Sequence, residues 1–200
     1  MTKQGSGPAK ARPRAQAKSG PAGPVPVPVP VRIYVVRHAN AVARDAWSGP
    51  DARRPLTDRG LKQARALLNR FDTGADRARP RKQAGALPKP TLLMSSGAER
   101  CLATLQPLAQ ACGLPIVTAE FLSEGSDADS FLVQVKELAA AGGVPVLCTH
   151  GDVIWSLVDV LAAAGTRFAG PVEAKKGSIL VLETVSGSVE SADYIPPDKV

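Results

Sequence analysis

Short β-branched runs separated by segments of helical period constrain this chain more than any other feature. Val31–Val36 (VRIYVV), Thr91–Ser95 (TLLMS), residues 115–119 (PIVTA) and Val144–Thr149 (VPVLCT) have the length and composition of strands. Between them the apolar residues return every three or four positions. Thr57 can cap a helix that carries Leu61, Ala64, Leu68 and Phe71 on one face, and Leu102, Leu105, Leu108 and Cys112 line a second helix. Ser130–Ala141 reads as a third, and Ile154, Leu157, Val158 and Leu161 mark a fourth. The chain closes on SILVLETVSGSVESADYI, a hairpin pattern that turns at Ser186–Ser188. Strand then helix, repeated, brings each new strand back parallel to the last. The expected fold is therefore α/β, a three-layer sandwich with a mainly parallel sheet flanked by helices.

Charge divides the chain differently. The net charge is +7, but Lys3, Lys10, Arg12, Arg14 and Lys18 place +5 in residues 1–30, and Arg77, Arg79, Arg81, Lys82 and Lys89 against Asp76 place +4 in residues 76–90. The rest of the chain is left at −2, so the folded body is close to neutral. Residues 1–30, rich in Lys, Arg, Pro, Gly and Ala, cannot bury enough surface to offset their ordering entropy, and are expected to form a disordered tail ahead of a domain over 31–200. No aromatic residue is interleaved there for base stacking, which disfavours nucleic acid as a specific partner. Residues 77–90 read as a basic surface insertion. The Pro–Val alternation at 24–31 cannot form a signal-peptide apolar helix, and no run of about 18 apolar residues exists, so no membrane association is expected. Cys101, Cys112 and Cys148 lack C-x-x-C spacing and read as reduced core thiols, in keeping with a cytoplasmic location.

The chain has two histidines, and both follow a predicted strand: His38 after VRIYVV-Arg37, His150 after VPVLCT. In open α/β sheets the ligand crevice lies beyond the carboxyl ends of the strands, so the two imidazoles are expected to meet there. Two imidazoles without an H-x-x-x-H pair or a cysteine pair fall short of a metal ligand set, and no metal or other cofactor is expected. Arg37 and His38 can face one ligand only if the strand ends between or after them and the small residues Ala39, Asn40 and Ala41 let the backbone turn. A guanidinium offers planar donors suited to phosphate. A neutral imidazole beside it can attack phosphorus through one nitrogen while the other donates to a carbonyl. A phosphoryl group would thus satisfy two polar side chains that are otherwise expensive to bury.

The blocks VVRHANA, RRPLTDRGLKQARAL, LLMSSGAERCLATLQPLA and VLCTHGDV, in that order over about residues 31–185, resemble the histidine phosphatase superfamily, also called phosphoglycerate mutase-like, and within it the short SixA-like branch. AERCLATLQPLAQ is also similar to the phosphatase domain of Nudix-fused hydrolases. The resemblance implies a phosphoglycerate mutase-like fold and a metal-independent phosphatase. In it His38 is the nucleophile that becomes a phosphohistidine, Arg37 and Arg100 bind the phosphoryl oxygens, and His150 stabilises the transferring group. Cys101 replaces the small residue that usually follows this arginine. Asn40 stands where many relatives have a carboxylate, and Glu124 in FLSEG is the candidate general acid, with an ordinary surface carboxylate as its alternative. Arg54 is divided between phosphate contact and a surface ion pair, and Arg44 is a weaker candidate. Ser95 and Ser96 can cap the helix that follows or offer hydroxyls to phosphate, with capping as the assignment, and Asp152 is assigned to the start of its helix. Implied substrates are a phosphohistidine protein, or a nucleotide or other small phosphate. Non-enzymatic phosphate binding and a nucleic-acid role for the tail are the competing classes.

Overall fold

A computed structural model describes residues 2, 30–73 and 86–198. The strand β1 (Val31–Arg37) is central and splits the core in two by simple alternation. Ile33 and Val35 face one side, where they pack with Phe131, Ile154 and Leu157; Tyr34 and Val36 face the other, with Leu67, Leu105 and Leu108. All four strand side chains are essentially inaccessible, and each such burial is worth about 1.5–3 kcal/mol.

The helix α1 (Asp58–Leu68) follows, then β2 (Leu92–Ser95), α2 (Glu99–Cys112), β3 (Ile116–Thr118), α3 (Ala128–Ala141), β4 (Pro145–Thr149), α4 (Gly151–Ala163), β5 (Arg167–Phe168), β6 (Ile179–Val185) and β7 (Ser188–Ile195). The sheet order is β3-β2-β4-β1-β6-β7-β5. The pairs β2/β3, β2/β4, β1/β4 and β5/β7 are parallel, whereas β1/β6 and β6/β7 are antiparallel. The expected α/β sandwich with a mainly parallel sheet is what forms, with the closing hairpin appended on one side. Helices α1 and α2 contribute to one core and α3 and α4 to the other, which gives the three layers.

Local chemistry accounts for the element ends. Thr57 caps α1 by accepting from the Gly60 amide at 3.1 Å, and Asp127 caps α3 by accepting from Ser130 at 2.8 Å, so α3 starts two residues before the expected Ser130. The expected face of α1 is corrected: Leu61 is 45% exposed, and the helix buries Gly60, Gln63, Ala64 and Leu67. Its orientation is set by Gly60, where a Cβ would stand 1.9 Å from the Asn40 carbonyl oxygen, and by the hydrogen bonds of Gln63. Phe71 lies beyond the helix and pairs with Leu87. The strand read at 115–119 shortens to three residues at the sheet edge, with Val117 44% exposed.

Among the described residues no helix is long and apolar enough to cross a membrane. The tail over 1–30 falls, apart from residues 2 and 30, outside the described residues, as does residues 77–85 of the insertion.

Candidate active site

The sheet register builds the site. Strands β1 and β4 are parallel neighbours with Arg37 paired to Thr149, so His38 and His150 leave the sheet side by side. Their ring centroids lie 5.3 Å apart. Both are buried, and the His38 amide donates to the Thr149 carbonyl at 3.0 Å. The backbone turn after His38 is held by helix side chains: Thr104 of α2 accepts from the Ala39 amide at 2.9 Å, and Gln63 of α1 accepts from the Asn40 amide at 2.8 Å. Asn40 turns its side chain to Thr57, whose hydroxyl donates to it at 2.8 Å.

His38 Nδ1 lies 2.8 Å from the Ala39 carbonyl, which can only accept, so Nδ1 carries the proton and Nε2 keeps its lone pair. Burial pushes the His38 pKa down to about 3; the bond to Ala39 opposes this, and His150, Arg100 and Arg37 add to it. The imidazole is therefore neutral at physiological pH. His150 Nδ1 faces Arg100 Nη2 at 3.2 Å and accepts from it, which leaves Nε2 to donate to Ser96 Oγ at 2.9 Å. Ser96 thus orients His150 while its hydroxyl also accepts from the Ala98 amide at 3.3 Å just ahead of α2; the residue at the cap itself is Ala98, so the capping assignment is corrected in its position and extended in its role. Ser95 donates to the Ser96 carbonyl.

Arg100 is 2% exposed and firmly tied. Its Nη1 donates to the Asp51 main-chain oxygen and to Asp51 Oδ2, both at 3.0 Å, and its Nη2 donates to Glu124 Oε2 at 2.7 Å. Arg37 donates from Nη1 to the Ala174 carbonyl and lies over Gly151, the first residue of α4. Burial lowers its pKa, while Asp152 and Tyr194 oppose the shift. Among the described residues, the buried side-chain nitrogens and oxygens that lack a hydrogen-bond partner are Arg37 Nε and Arg100 Nε. Orphaned charged donors are rare in folded proteins, and here both belong to the guanidiniums beside the two imidazoles.

Arg54, buried, donates to Asp51 Oδ1 at 3.0 Å and to the Val42 carbonyl at 2.8 Å, so the ion pair it forms joins a buried guanidinium to a partly exposed carboxylate. Exposed Arg44 bridges Asp51 and Glu124, at 3.1 Å to each carboxylate. Asp152 is not confined to its helix start: it accepts from the Gly125 amide at 2.7 Å and so pins the loop that carries Glu124. Every candidate named from the sequence, His38, Arg37, Arg100, His150, Glu124 and Arg54, lies in or beside this one region.

Sequence reasoning missed three contributors. Asp51 gathers three arginines, and only an acid within a loop of mixed charge marks it. Lys176 joins the cationic group; burial, then Arg37, Arg54 and Arg100, lower its pKa. Cys101 places Sγ 3.5 Å from His150 Nε2. The Cys148 thiol, His150 and Arg100 outweigh burial and bring the Cys101 thiol down to about 6, and Cys148, fully buried, moves up.

An α/β sandwich that gathers two imidazoles and a cluster of guanidiniums beyond the carboxyl ends of its parallel strands defines the class of protein. Residues 33–129 match the Histidine phosphatase superfamily (branch 1). The chain is 32% identical over 171 residues to the 8-oxo-(d)GTP phosphatase of Mycolicibacterium smegmatis, an alignment that takes in 84% of this chain and 49% of the relative. The chain thus spans about half the length of that curated relative. Its fold is shared with the protein histidine phosphatase SixA solved with tungstate, at TM-score 0.59 and 16% identity, over 83% of this chain and 95% of the other. A mycobacterial glucosyl-3-phosphoglycerate phosphatase matches at TM-score 0.54 and 17% identity, over 85% and 98%. Residues 33–129, just under half of the chain, carry the match to the histidine phosphatase superfamily.

Proposed function

We propose that this chain is a metal-independent phosphatase that passes a phosphoryl group through His38. The observation that carries the reading is the pair of buried, partnerless guanidinium Nε groups beside a neutral imidazole whose Nε2 is unprotonated. His38 Nε2 attacks phosphorus as the bond to the leaving oxygen breaks, and Glu124, having left its arginine partners and taken a proton from solvent, gives that oxygen the proton. Arg37 and Arg100 neutralise charge on the equatorial oxygens, and His150 joins them by turning its Nε2 proton from Ser96 to the phosphoryl group, so positioning and electrostatics supply most of the catalysis. Water then attacks the phosphohistidine, the N–P bond breaks, and Glu124 recovers its proton as orthophosphate departs. For this Glu124 must exchange its Arg100 contact for the leaving oxygen; the two groups compete for one guanidinium. Arg54 serves the substrate through its place beside Asp51.

A nucleotide or other small phosphate is the preferred substrate class, supported by the sequence relative named for 8-oxo-(d)GTP. A phosphohistidine protein is the second reading: the rim residues Arg44, Asp51 and Glu124 are 67%, 36% and 45% exposed in their side chains, which leaves the site open to a large partner. A screen in excess chelator against nucleoside polyphosphates, sugar phosphates and phosphohistidine protein, with His38→Ala as control, tests both. Hydrolysis that depends on His38 and ignores the chelator is expected. Turnover by His38→Ala at the wild-type rate would overturn the proposal.

A further inference from the structure

Asp51 makes more charged contacts than any other acid of the site, and no bond-making or bond-breaking step above uses it. Its Oδ1 accepts from Arg44 Nε at 3.1 Å and Arg54 Nε at 3.0 Å, its Oδ2 from Arg100 Nη1 at 3.0 Å, and its main-chain oxygen again from Arg100 Nη1 at 3.0 Å. Burial pushes its pKa up, but the bond from Arg54 and the charges of Arg100, Arg54 and Arg44 outweigh this and hold it below the usual carboxylate range. It is ionised throughout the physiological range. With Asp51 on Nη1 and with Glu124 and His150 on Nη2, the fork of Arg100 is fixed, and Nε is the nitrogen left without a partner.

We propose that Asp51 is a positioning residue for phosphoryl transfer, one carboxylate that locks Arg100 and Arg54 in register and offsets part of the charge of the arginine cluster. The proposal rests on reading Arg37, His38, Arg100 and His150 as the phosphoryl site. Its two effects act on different kinetic constants. Locking Arg100 fixes donors at the positions where charge develops, and loss of that alignment slows the chemical step. Offsetting charge weakens the hold on any phosphate dianion, in ground state and transition state alike, which changes affinity without aiding turnover. The main-chain contact to Arg100 does not depend on the carboxylate, so neutralising Asp51 loosens the guanidinium without releasing it.

The test is steady-state hydrolysis of p-nitrophenyl phosphate, with inhibition by inorganic phosphate, for wild type, Asp51→Asn and Asp51→Glu, with thermal melts to confirm folding. Asp51→Asn is expected to lower kcat about 10- to 100-fold while orthophosphate binds about threefold to tenfold more tightly. Asp51→Glu keeps the charge, so its phosphate affinity stays at the wild-type value while kcat recovers in part. A purely structural prop would weaken kcat and phosphate binding together; that result in either variant, or a kcat for Asp51→Asn within twofold of wild type, overturns the proposal. If Asp51→Asn fails to fold, Asp51→Glu decides alone, since unchanged phosphate affinity with a reduced kcat is the expected pair. His38→Ala separates the two levels. If it is inactive while Asp51→Asn is normal, the role of Asp51 fails and the phosphoryl site stands; if it is fully active, both fail.

Discussion

Gly151→Ala offers a perturbation whose effects on stability and on activity should part company. A Cβ built at Gly151 falls 2.6 Å from Arg37 Cζ, 2.7 Å from Nη2 and 2.8 Å from Nε, all inside the closest approach that side chains tolerate. Ordinary contact begins near 3.4 Å, so the guanidinium must retreat by about 0.8 Å. Arg37 is not free to drift at no cost, because Nη1 is bound to the Ala174 carbonyl. A displacement of about 1 Å in a catalytic group can cost roughly 100-fold in rate, or about 2.7 kcal/mol of barrier. The fold should scarcely notice. Alanine is favoured over glycine within helices by up to about 1 kcal/mol, which offsets a lost hydrogen bond of about the same size. We expect kcat/KM with p-nitrophenyl phosphate to fall about 100-fold, and Tm to stay within about 4 °C of wild type. Activity within threefold of wild type would show that Arg37 does not need its present position, and the assignment of Arg37 would have to go.

Further predictions follow from the same contacts. Gly60→Ala forces a Cβ to within 1.9 Å of the Asn40 carbonyl oxygen, a backbone atom that holds the turn after His38, and should lower Tm by about 5–10 °C despite the better helix propensity; an unchanged melting curve would contradict it. His38 has a folded pKa of about 3 against 6.5 when unfolded, so the unfolded state binds more protons between these values. Stability from this group is present in full above pH 6.5 and is lost as pH falls towards 3, a loss of order 5 kcal/mol at its limit. Urea unfolding at pH 7 and pH 4.5 should therefore show a smaller acid loss in His38→Asn than in wild type, and equal losses would count against the buried neutral imidazole. Arg100→Lys keeps the charge but cannot bridge Asp51, Glu124 and His150 at once, so kcat should fall at least tenfold with little change in Tm.

The layers of the fold were legible because strand and helix periods are local properties: β1, β4 and the closing hairpin lie within a residue or two of their expected places. His38 and His150 were legible for a related reason, since both sit at the ends of apolar strands and parallel pairing then brings them together. The buried face of α1 was not, because Leu61 is as apolar as Leu67 and the choice between them is made by a steric fit at Gly60 with a residue far along the chain. Asp51 was illegible for a different reason. Its partners lie 3, 7 and 49 positions away, and an aspartate near arginines in a proline-bearing loop looks like many solvated surface charges. Ser96 presented the same difficulty: a serine before a helix reads as a cap until the imidazole it holds is seen.

The transfer of phosphorus to His38 can be observed directly. Enzyme mixed with a labelled phosphoryl donor and quenched within one turnover should carry label on the peptide containing His38, stable to alkali and lost in acid, with none on His38→Ala. Rapid hydrolysis by wild type with no such adduct at saturating donor, or the same adduct on the variant, would contradict the mechanism.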